Sequence, residues 1–283
     1  MPTFSSPFSS KAHTYIKLFN SKDLKNRCEK LKIMKTAVIA PLGLSPPVIT
    51  TFVDGIGEPV NDLVVLTTEN EDVKAGYELI RIGIKRRYPK MRLHEVSLPF
   101  EDVNTTEENL QFMSICAKII REEREKYKCD KILLNVAGGR KNMCITLSLL
   151  GQLMGVDGVY HVISKDVKIV NQLLENLRSS IREIYRAKTD DEKIRIYGER
   201  ERHFDGLLFP NKKEYEIIRI PTLPYPPDYL AKLIKALEEN DLDTLSWTEK
   251  RMLESHGVLK SFGGRFRVSD YGKRLVDALL VRL

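Results

Sequence analysis

The stretch Asn135–Met143 combines residue types that bind a phosphate-rich anion. Gly138 and Gly139 let the backbone turn tightly and present its N–H groups. Arg140 and Lys141 follow directly, at the start of an apolar segment with helical spacing. Cations and free N–H groups at a helix N-terminus favour a negatively charged ligand. Taken alone, the fragment fits an ordinary strand-to-helix turn with solvated charges equally well.

A second loop of similar character follows an earlier apolar strand, Ala37–Pro41. It carries Gly43 and Ser45 ahead of a short helix. In a parallel open sheet, loops at the carboxyl ends of the strands share one edge, where ligands bind. The two loops together therefore predict a ligand site. From spacing alone, Ser45 either hydrogen-bonds the ligand or caps a helix that has Pro46 in its first turn.

Strands and helices alternate through the first half of the chain. This pattern is typical of an α/β fold with a doubly wound, mostly parallel, Rossmann-like sheet that carries helices on both faces. The first strand is not followed by G-x-G-x-x-G, so no dinucleotide cofactor is predicted. Strands are predicted at Thr36–Pro41, Leu63–Thr67, Arg92–Leu98, Lys131–Val136 and Gly158–Ile163. Helices are predicted at Pro47–Gly55, Asp72–Tyr88, Thr105–Tyr127 and Asn142–Met154.

The pattern changes after the fifth strand. A long helix is predicted over Asp166–Lys188, followed by strands at Ile194–Tyr197 and Glu214–Pro221. These two strands enclose a charged loop, residues 198–213, as a hairpin. The loop is either solvated or covers the ligand site and supplies a further cation to the phosphates.

Composition divides the chain into three predicted parts. Residues 1–33 contain seven Lys or Arg and two Asp or Glu, a net +5 of the chain's +7. We interpret them as a disordered basic leader; a transit peptide is an alternative, as is a true start at Met34. Residues 34–225 form the Rossmann-like domain with its C-terminal hairpin. A proline-rich hinge then leads to a small module, residues 226–283.

The C-terminal module resembles a winged-helix domain in its last part, where a hairpin precedes the final helix, Ser269–Leu280. Only about eight residues separate its first helix, Asp228–Glu239, from Trp247. This leaves little room for both a positioning helix and a recognition helix. Residues 221–283 contain ten Lys or Arg and nine Asp or Glu. Both features argue against DNA binding and favour dimerisation or shielding of the ligand site.

Several classes of function are disfavoured by composition. The chain lacks an apolar run of roughly 20 residues, so no membrane span is predicted. The four cysteines show no metal-ligand spacing with one another or with histidine, and no metal site is predicted. No histidine pairs with a nucleophile in sequence, so acid–base or triad chemistry is not indicated. The cysteines are typical of buried thiols in an intracellular protein, and we expect a cytoplasmic location.

Three motifs together carry a family resemblance. They are Gly43–Thr50 after the first strand, Leu98–Val103 with the following Thr105-Thr-Glu, and Gly138–Lys141. Over about residues 34–165 the chain resembles the CRISPR-associated Rossmann-fold (CARF) proteins, most closely their stand-alone ring nucleases. The resemblance implies a homodimer whose cleft binds cyclic tetra-adenylate. It also implies metal-independent cleavage of that messenger to linear di-adenylate with a 2′,3′-cyclic phosphate, which switches off type III CRISPR signalling.

The resemblance also implies site residues. Lys141 and Arg140 would stabilise negative charge on the phosphoryl oxygens, and Ser45 would hold the attacking 2′-hydroxyl or a phosphate oxygen. Asn142 either contacts an adenine or a phosphate or caps its helix. The alternative function is a ligand-sensing winged-helix transcription regulator that binds the messenger without cutting it. The expected substrate-binding residues are Gly43, Leu44, Pro46, Gly138, Gly139, Asn142 and Met143.

Overall fold

A central six-stranded sheet in the order β3-β2-β1-β4-β5-β6 organises the structure. The structure is a computed structural model that describes residues 34–283, and the predictions for residues 1–33 lie outside it. Strands β1 to β5 are parallel, whereas β6 is antiparallel to β5. This confirms the predicted fold class. The strands are β1 Thr36–Pro41, β2 Asp62–Thr67, β3 Arg92–Ser97, β4 Lys131–Asn135, β5 Gly158–Ser164 and β6 Tyr215–Ile220.

The central strands are apolar because helices cover both of their faces. Every residue of β1 and β2 is buried. Successive side chains point to opposite faces, so Val38 joins the core on one face and Ile39 the core on the other. In this topology the carboxyl ends of β1 and β4, which are neighbours in the sheet, lie at the same edge.

Ten α-helices surround the sheet in the described part of the chain. They are α1 Pro47–Gly55, α2 Glu71–Arg87, α3 Thr106–Glu125, α4 Lys141–Leu153, α5 Val167–Arg186, α6 Asp190–Glu199, α7 Glu201–Leu208, α8 Pro227–Glu238, α9 Trp247–Ser255 and α10 Asp270–Leu280. Helices α3, α4 and α10 pack on one face of the sheet and α1 and α2 on the other. Helices α5 to α7 then pack on α2. Within residues 34–283, no helix is both long enough and apolar enough to cross a membrane.

Local signals account for where the predicted helices begin. Thr105 caps α3 in a reciprocal capping box with Glu108, as the Thr-Thr-Glu-Glu sequence predicts. Asp166 accepts a hydrogen bond from the Ile169 N–H and caps α5. Its predicted range, Asp166–Lys188, agrees with the structure to within two residues at either end.

The predicted strand Ile194–Tyr197 is wrong, because these residues lie in helix α6. Thr189 caps this helix, and acidic residues fill its first turn, where they favour the positive end of the helix dipole. Ile196 and Tyr197 are buried against α2 and α7. The hairpin and the loop 198–213 are therefore wrong as well, since α7 occupies half of the predicted loop and β6 pairs with β5.

The C-terminal segment contains α8, a 3-10 turn at Leu242–Thr244, α9, the hairpin of β7 Leu259–Phe262 and β8 Arg265–Val268, and α10. It has a small apolar core of its own, to which Leu237, Leu259 and Val276 contribute. Helix α10 also packs on α3, and Ala278 is fully buried in the core beneath the sheet. Lys35–Leu283 accordingly forms one compact unit. A domain boundary at residue 226 and the winged-helix likeness stay predictions.

Candidate functional site

The two glycine-containing loops meet at the carboxyl edge of the sheet, as their positions in the sequence predict. A methyl group on Gly43 would lie 2.9 Å from the backbone nitrogen of Gly139. A methyl group on Gly138 would lie 2.3 Å from the carbonyl oxygen of Pro41. Gly139 adopts φ +81°, a left-handed conformation that favours glycine. Close backbone packing thus requires glycine in both loops and fixes them against each other.

Asn135 connects the two loops, a role that the sequence analysis missed. It is fully buried at the end of β4. Its side-chain amide donates to the Val48 carbonyl in α1 over 3.0 Å, and its oxygen accepts from the Ala137 N–H over 3.0 Å. A lone amide at the end of the apolar strand Lys-Ile-Leu-Leu-Asn is the signal that could have identified it, because a buried amide needs partners.

Ser45 is not the cap of α1. The N-cap position is occupied by Pro46, Pro47 is the first helical residue, and no side chain caps the helix. Ser45 is half-buried, and no hydrogen bond involves its hydroxyl in residues 34–283. The capping interpretation is therefore wrong, and the hydroxyl group is available for a ligand.

The two cations of the second loop differ in their surroundings. Arg140 occupies the N-cap position of α4 and forms a 2.9 Å ion pair with Asp102, although its side chain is 68% exposed. Lys141 is the first residue of α4 and is exposed. No ion pair involves Lys141 within the described range. Asp102 therefore orients Arg140, whereas no group among residues 34–283 competes with an anion for the ammonium group of Lys141.

The remaining expected binding residues divide between the loop surface and the core. Leu44 is exposed. Pro46 is buried and Met143 is fully buried in the core, so the Met143 side chain lies beneath the loop surface and not on it. Asn142 donates from its amide to the Val103 carbonyl and is not the N-cap of α4. Its capping interpretation is wrong, and this hydrogen bond occupies one of its two amide N–H donors.

Cys144 supports the second loop from below. Its thiol donates to the Gly138 carbonyl, with a sulfur–oxygen distance of 2.8 Å. Burial raises the pKa of Cys144 to about 11, so the thiol stays protonated at neutral pH and remains a donor. Cys144 therefore has a structural role in the loop and does not have the properties of an activated nucleophile.

A cavity of about 780 Å³ adjoins Ser45. Its other walls come from the end of β5, the first turns of α5, helix α7 and the segment that leads into β6. Arg202, His203 and Lys213 lie on these walls. The segment 198–213, misassigned from the sequence as a loop, thus borders the candidate site with three groups that can carry positive charge.

Three potential metal ligands, Asp62, Glu123 and Cys129, cluster elsewhere in the described residues, at the amino end of β2. Two cations already neutralise the carboxylates. Lys35 lies 2.6 Å from Asp62, and Arg92 pairs with both Asp62 and Glu123. Burial also raises the pKa of the Cys129 thiol, which favours its protonated form. We interpret this group as a buried ion cluster that stabilises the amino edge of the sheet.

Comparison with known proteins places the chain in a family. Residues 45–254 match the family model described as CRISPR-associated protein NE0113. The chain belongs to this family. It is also similar to the CRISPR system ring nuclease SSO2081 of Saccharolobus solfataricus, with 29% identity over 136 residues. That alignment covers 46% of this chain and 72% of the relative. The resemblance to CRISPR-associated proteins of the ring-nuclease type is thereby confirmed.

Three solved structures are similar at low TM-scores. Enterococcus italicus Csm6 bound to cyclic hexa-2′-fluoro-hexa-dAMP has 13% identity, a TM-score of 0.42 and 88% coverage of this chain. Can2 from Sulfobacillus thermosulfidooxidans in complex with cyclic tetra-adenylate has 11% identity, a TM-score of 0.33 and 86% coverage. Protein VC1899 from Vibrio cholerae has 9% identity, a TM-score of 0.35 and 87% coverage. The chain spans 53%, 63% and 66% of their respective lengths. Scores this low do not establish a shared function.

Proposed function

We propose that this protein is a ring nuclease that binds cyclic tetra-adenylate and cleaves it to linear di-adenylate with a 2′,3′-cyclic phosphate. The observation that carries the proposal is the arrangement at the carboxyl edge of the sheet. There the hydroxyl of Ser45 and the ammonium group of Lys141, which have no partner among residues 34–283, belong to the two loops that meet at Gly43 and Gly139. The similarity to a relative named as a ring nuclease supports the same reaction.

The proposed cleavage uses the 2′-hydroxyl of the substrate as the nucleophile. It attacks the adjacent phosphorus in line and loses its proton, and the bond to the 5′-oxygen breaks. The departing 5′-oxygen takes up a proton to become a hydroxyl, and a 2′,3′-cyclic phosphate remains. Such a reaction depends on positioning and on stabilising the charge of the phosphoryl oxygens. Lys141 and Arg140 supply that charge stabilisation, and Ser45 holds the hydroxyl or a phosphate oxygen in place. The cavity beside Ser45 has room for a base of the ring.

A homodimer is part of the proposal, because a ring with four phosphates suits two copies of each loop around a twofold axis. Helix α4 begins with Lys141 and exposes two apolar side chains on one face, Ile145 (61% exposed) and Leu149 (55% exposed). Burying this stripe against a second copy would remove apolar surface from water. It would also bring both Lys141 residues to the same interface.

The decisive experiment incubates the purified protein with cyclic tetra-adenylate in the presence of EDTA and separates the products by chromatography. We expect linear di-adenylate with a cyclic phosphate, because the chemistry relies on the loop residues and not on a metal ion. Loss of cleavage in EDTA that a divalent ion restores would contradict metal independence. Tight binding without any product would favour the alternative function, a sensor that regulates transcription.

A further inference from the structure

The hairpin of β7 and β8 has two faces of opposite character. In an antiparallel pair, residues directly opposite each other project to the same side of the ribbon. One side carries the pairs Leu259–Val268 and Ser261–Phe266, and its apolar members pack into the core of the C-terminal segment. The other side, here called the outer face, carries the pairs Lys260–Arg267 and Phe262–Arg265.

The outer face concentrates positive charge. Its three cations are all exposed, and no ion pair involves any of them within residues 34–283. Residues 259–268 contain no Asp or Glu, although residues 221–283 as a whole are nearly neutral. Lys260 also lies directly opposite Arg267. Like charges in this arrangement destabilise a hairpin, so folding stability does not explain why they are placed there.

An exposed aromatic ring lies among these cations. Phe262 is 70% exposed at the end of β7 and stands opposite Arg265. The turn that follows consists of Gly263 and Gly264, with φ of +56° and +80°. Positive φ at both central residues is the requirement of a tight two-residue hairpin turn, which keeps the ends of the two strands together. The Phe262 ring is therefore exposed to solvent next to a turn of defined conformation.

A polar depression of about 480 Å³ lies beside the outer face. Arg267 and Lys273 line it, together with Asp277 and the ion pair of Arg282 with Glu238. The depression keeps a net positive charge after these acidic groups are counted. The cationic surface thus extends from the ribbon onto the start of α10.

We propose that the outer face binds single-stranded nucleic acid, with its cations on the phosphates and Phe262 stacked on a base. Cations that track a backbone and an aromatic ring that stacks on bases are the two elements of sequence-tolerant single-strand binding. A ring stacks on an unpaired base without the cost of unstacking a base pair, which stacking inside a duplex requires. The 3-10 turn Leu242–Thr244 stands where a duplex-binding winged helix has a positioning helix, which favours the single strand. None of these residues belongs to the proposed ring site.

The first test measures binding of the full chain to labelled RNA and DNA single strands of about 12 nucleotides by fluorescence anisotropy. Arg267→Glu places an opposite charge across from Lys260, which should favour the folded ribbon. We expect it to weaken binding about tenfold or more and to lower the salt dependence by about one unit of slope. Lys118→Glu on α3 is the matched control, because it removes an exposed cation that has no ion pair among residues 34–283 and changes the net charge equally.

The second test separates stacking from charge. Phe262→Ala should weaken binding severalfold without changing the salt slope, because it removes a stacking contact and no ion contact. The basic residues 1–33 are common to all variants, so their contribution cancels in the comparison. Equal weakening of single-strand binding by Arg267→Glu and by Lys118→Glu would overturn the proposal. So would duplex binding as tight as single-strand binding, or the absence of binding by the unmodified protein.

Discussion

At the scale of single residues, the two adjacent cations of the second loop differ in what already binds them. Asp102 holds Arg140, so part of the charge of Arg140 is compensated before any ligand arrives. Lys141 is exposed and has no ion pair within residues 34–283. An anion that reaches the loop therefore meets Lys141 as the uncompensated charge, and this lysine should contribute the larger share of charge stabilisation.

We accordingly predict that Lys141→Ala slows cleavage of cyclic tetra-adenylate by about 10²-fold or more, as for removal of a group that stabilises developing charge. Single-turnover rates would measure the effect. Lys118→Ala is the control, since it removes an equally unpaired lysine outside the site and should leave the rate unchanged. A rate for Lys141→Ala within twofold of the unmodified protein would place the chemistry elsewhere.

Ser45 offers a separate residue-scale prediction, because its hydroxyl caps no helix and has no partner within residues 34–283. Ser45→Ala should change the free energy of unfolding by less than about 0.5 kcal/mol. It should slow cleavage about tenfold, in line with the loss of one hydrogen bond, while most of the binding affinity remains. Urea unfolding and single-turnover kinetics test the two parts. A marked loss of stability would show that the hydroxyl has a structural role after all.

At the scale of elements, backbone contact between the loops after β1 and β4 shapes the site. The carbonyl of Pro41 approaches Gly138 so closely that no side chain fits between them. Asn135 and Cys144 then hold the second loop through hydrogen bonds. Buried polar groups with satisfied partners specify one conformation, which is what a site that positions a phosphate requires.

We predict that Gly138→Ala destabilises the protein by about 1–3 kcal/mol, because the added methyl group forces the two loops apart. The affinity for cyclic tetra-adenylate should fall together with the stability. Urea unfolding and a binding titration would measure both effects. Gly198→Ala in α6 is the matched control: its methyl group meets no atom within 4 Å, so stability should stay the same or rise by up to about 1 kcal/mol. Equal stability of the two variants would contradict close packing of the loops.

The ion cluster at the opposite edge predicts a pH dependence of stability. Burial of the Asp62 carboxyl acts to raise its pKa, but hydrogen bonds from Lys35 and Arg92 outweigh burial, and the pKa lies below its ordinary value. Because its pKa is lower in the folded state, the ionised Asp62 stabilises the protein at pH values above its unfolded-state pKa of about 3.9. This contribution is lost as the pH falls from there through the folded-state pKa.

We therefore expect Asp62→Asn to lower the free energy of unfolding at pH 7 by about 1–3 kcal/mol, because it removes the buried carboxylate that pairs with the half-buried Lys35 and Arg92. The difference from the unmodified protein should shrink as the pH falls below about 4. Urea unfolding at several pH values measures it. Asp243→Asn, at a fully exposed carboxylate, should show neither effect. A difference that stays constant with pH would contradict the role given to the carboxylate charge.

At the scale of the whole molecule, the proposed function requires two copies of the chain to complete the ring site. The exposed stripe on α4 is the apolar surface nearest in sequence to Lys141, so dimerisation and messenger binding should be coupled through this helix. The C-terminal segment contributes differently, because α10 packs on α3 and ties the far end of the chain to the sheet.

We predict that Leu149→Glu converts the protein to a monomer and abolishes cleavage, since a charge cannot be buried in an apolar interface without a partner. Light scattering coupled to size-exclusion chromatography measures the oligomeric state. Met252→Glu is the control, because Met252 is about as exposed but lies on α9. Loss of the dimer in both variants, or in neither, would argue against α4 as the interface.

The sequence by itself determined the elements whose signals are local. The unbroken apolar run Thr36–Pro41 specified a strand covered on both faces, and the threonines Thr105 and Thr106 marked the start of a helix. Because β1 and β4 are parallel, the loops after them, which carry Ser45 and Lys141, had to share an edge of the sheet. The motifs in these loops also indicated the family, which the comparison with known proteins confirmed.

Only the tertiary structure decided what depends on contacts between distant residues. Thr189 and the acidic residues after it mark the start of α6 locally, but the burial of Ile196 and Tyr197 against α2 and α7 is a tertiary contact. The pairing of Arg140 with Asp102 and the position of α7 beside Ser45 also join residues that are distant in sequence. Each of these outcomes depends on partners far along the chain, and their positions are set only when the sheet and its helices pack together.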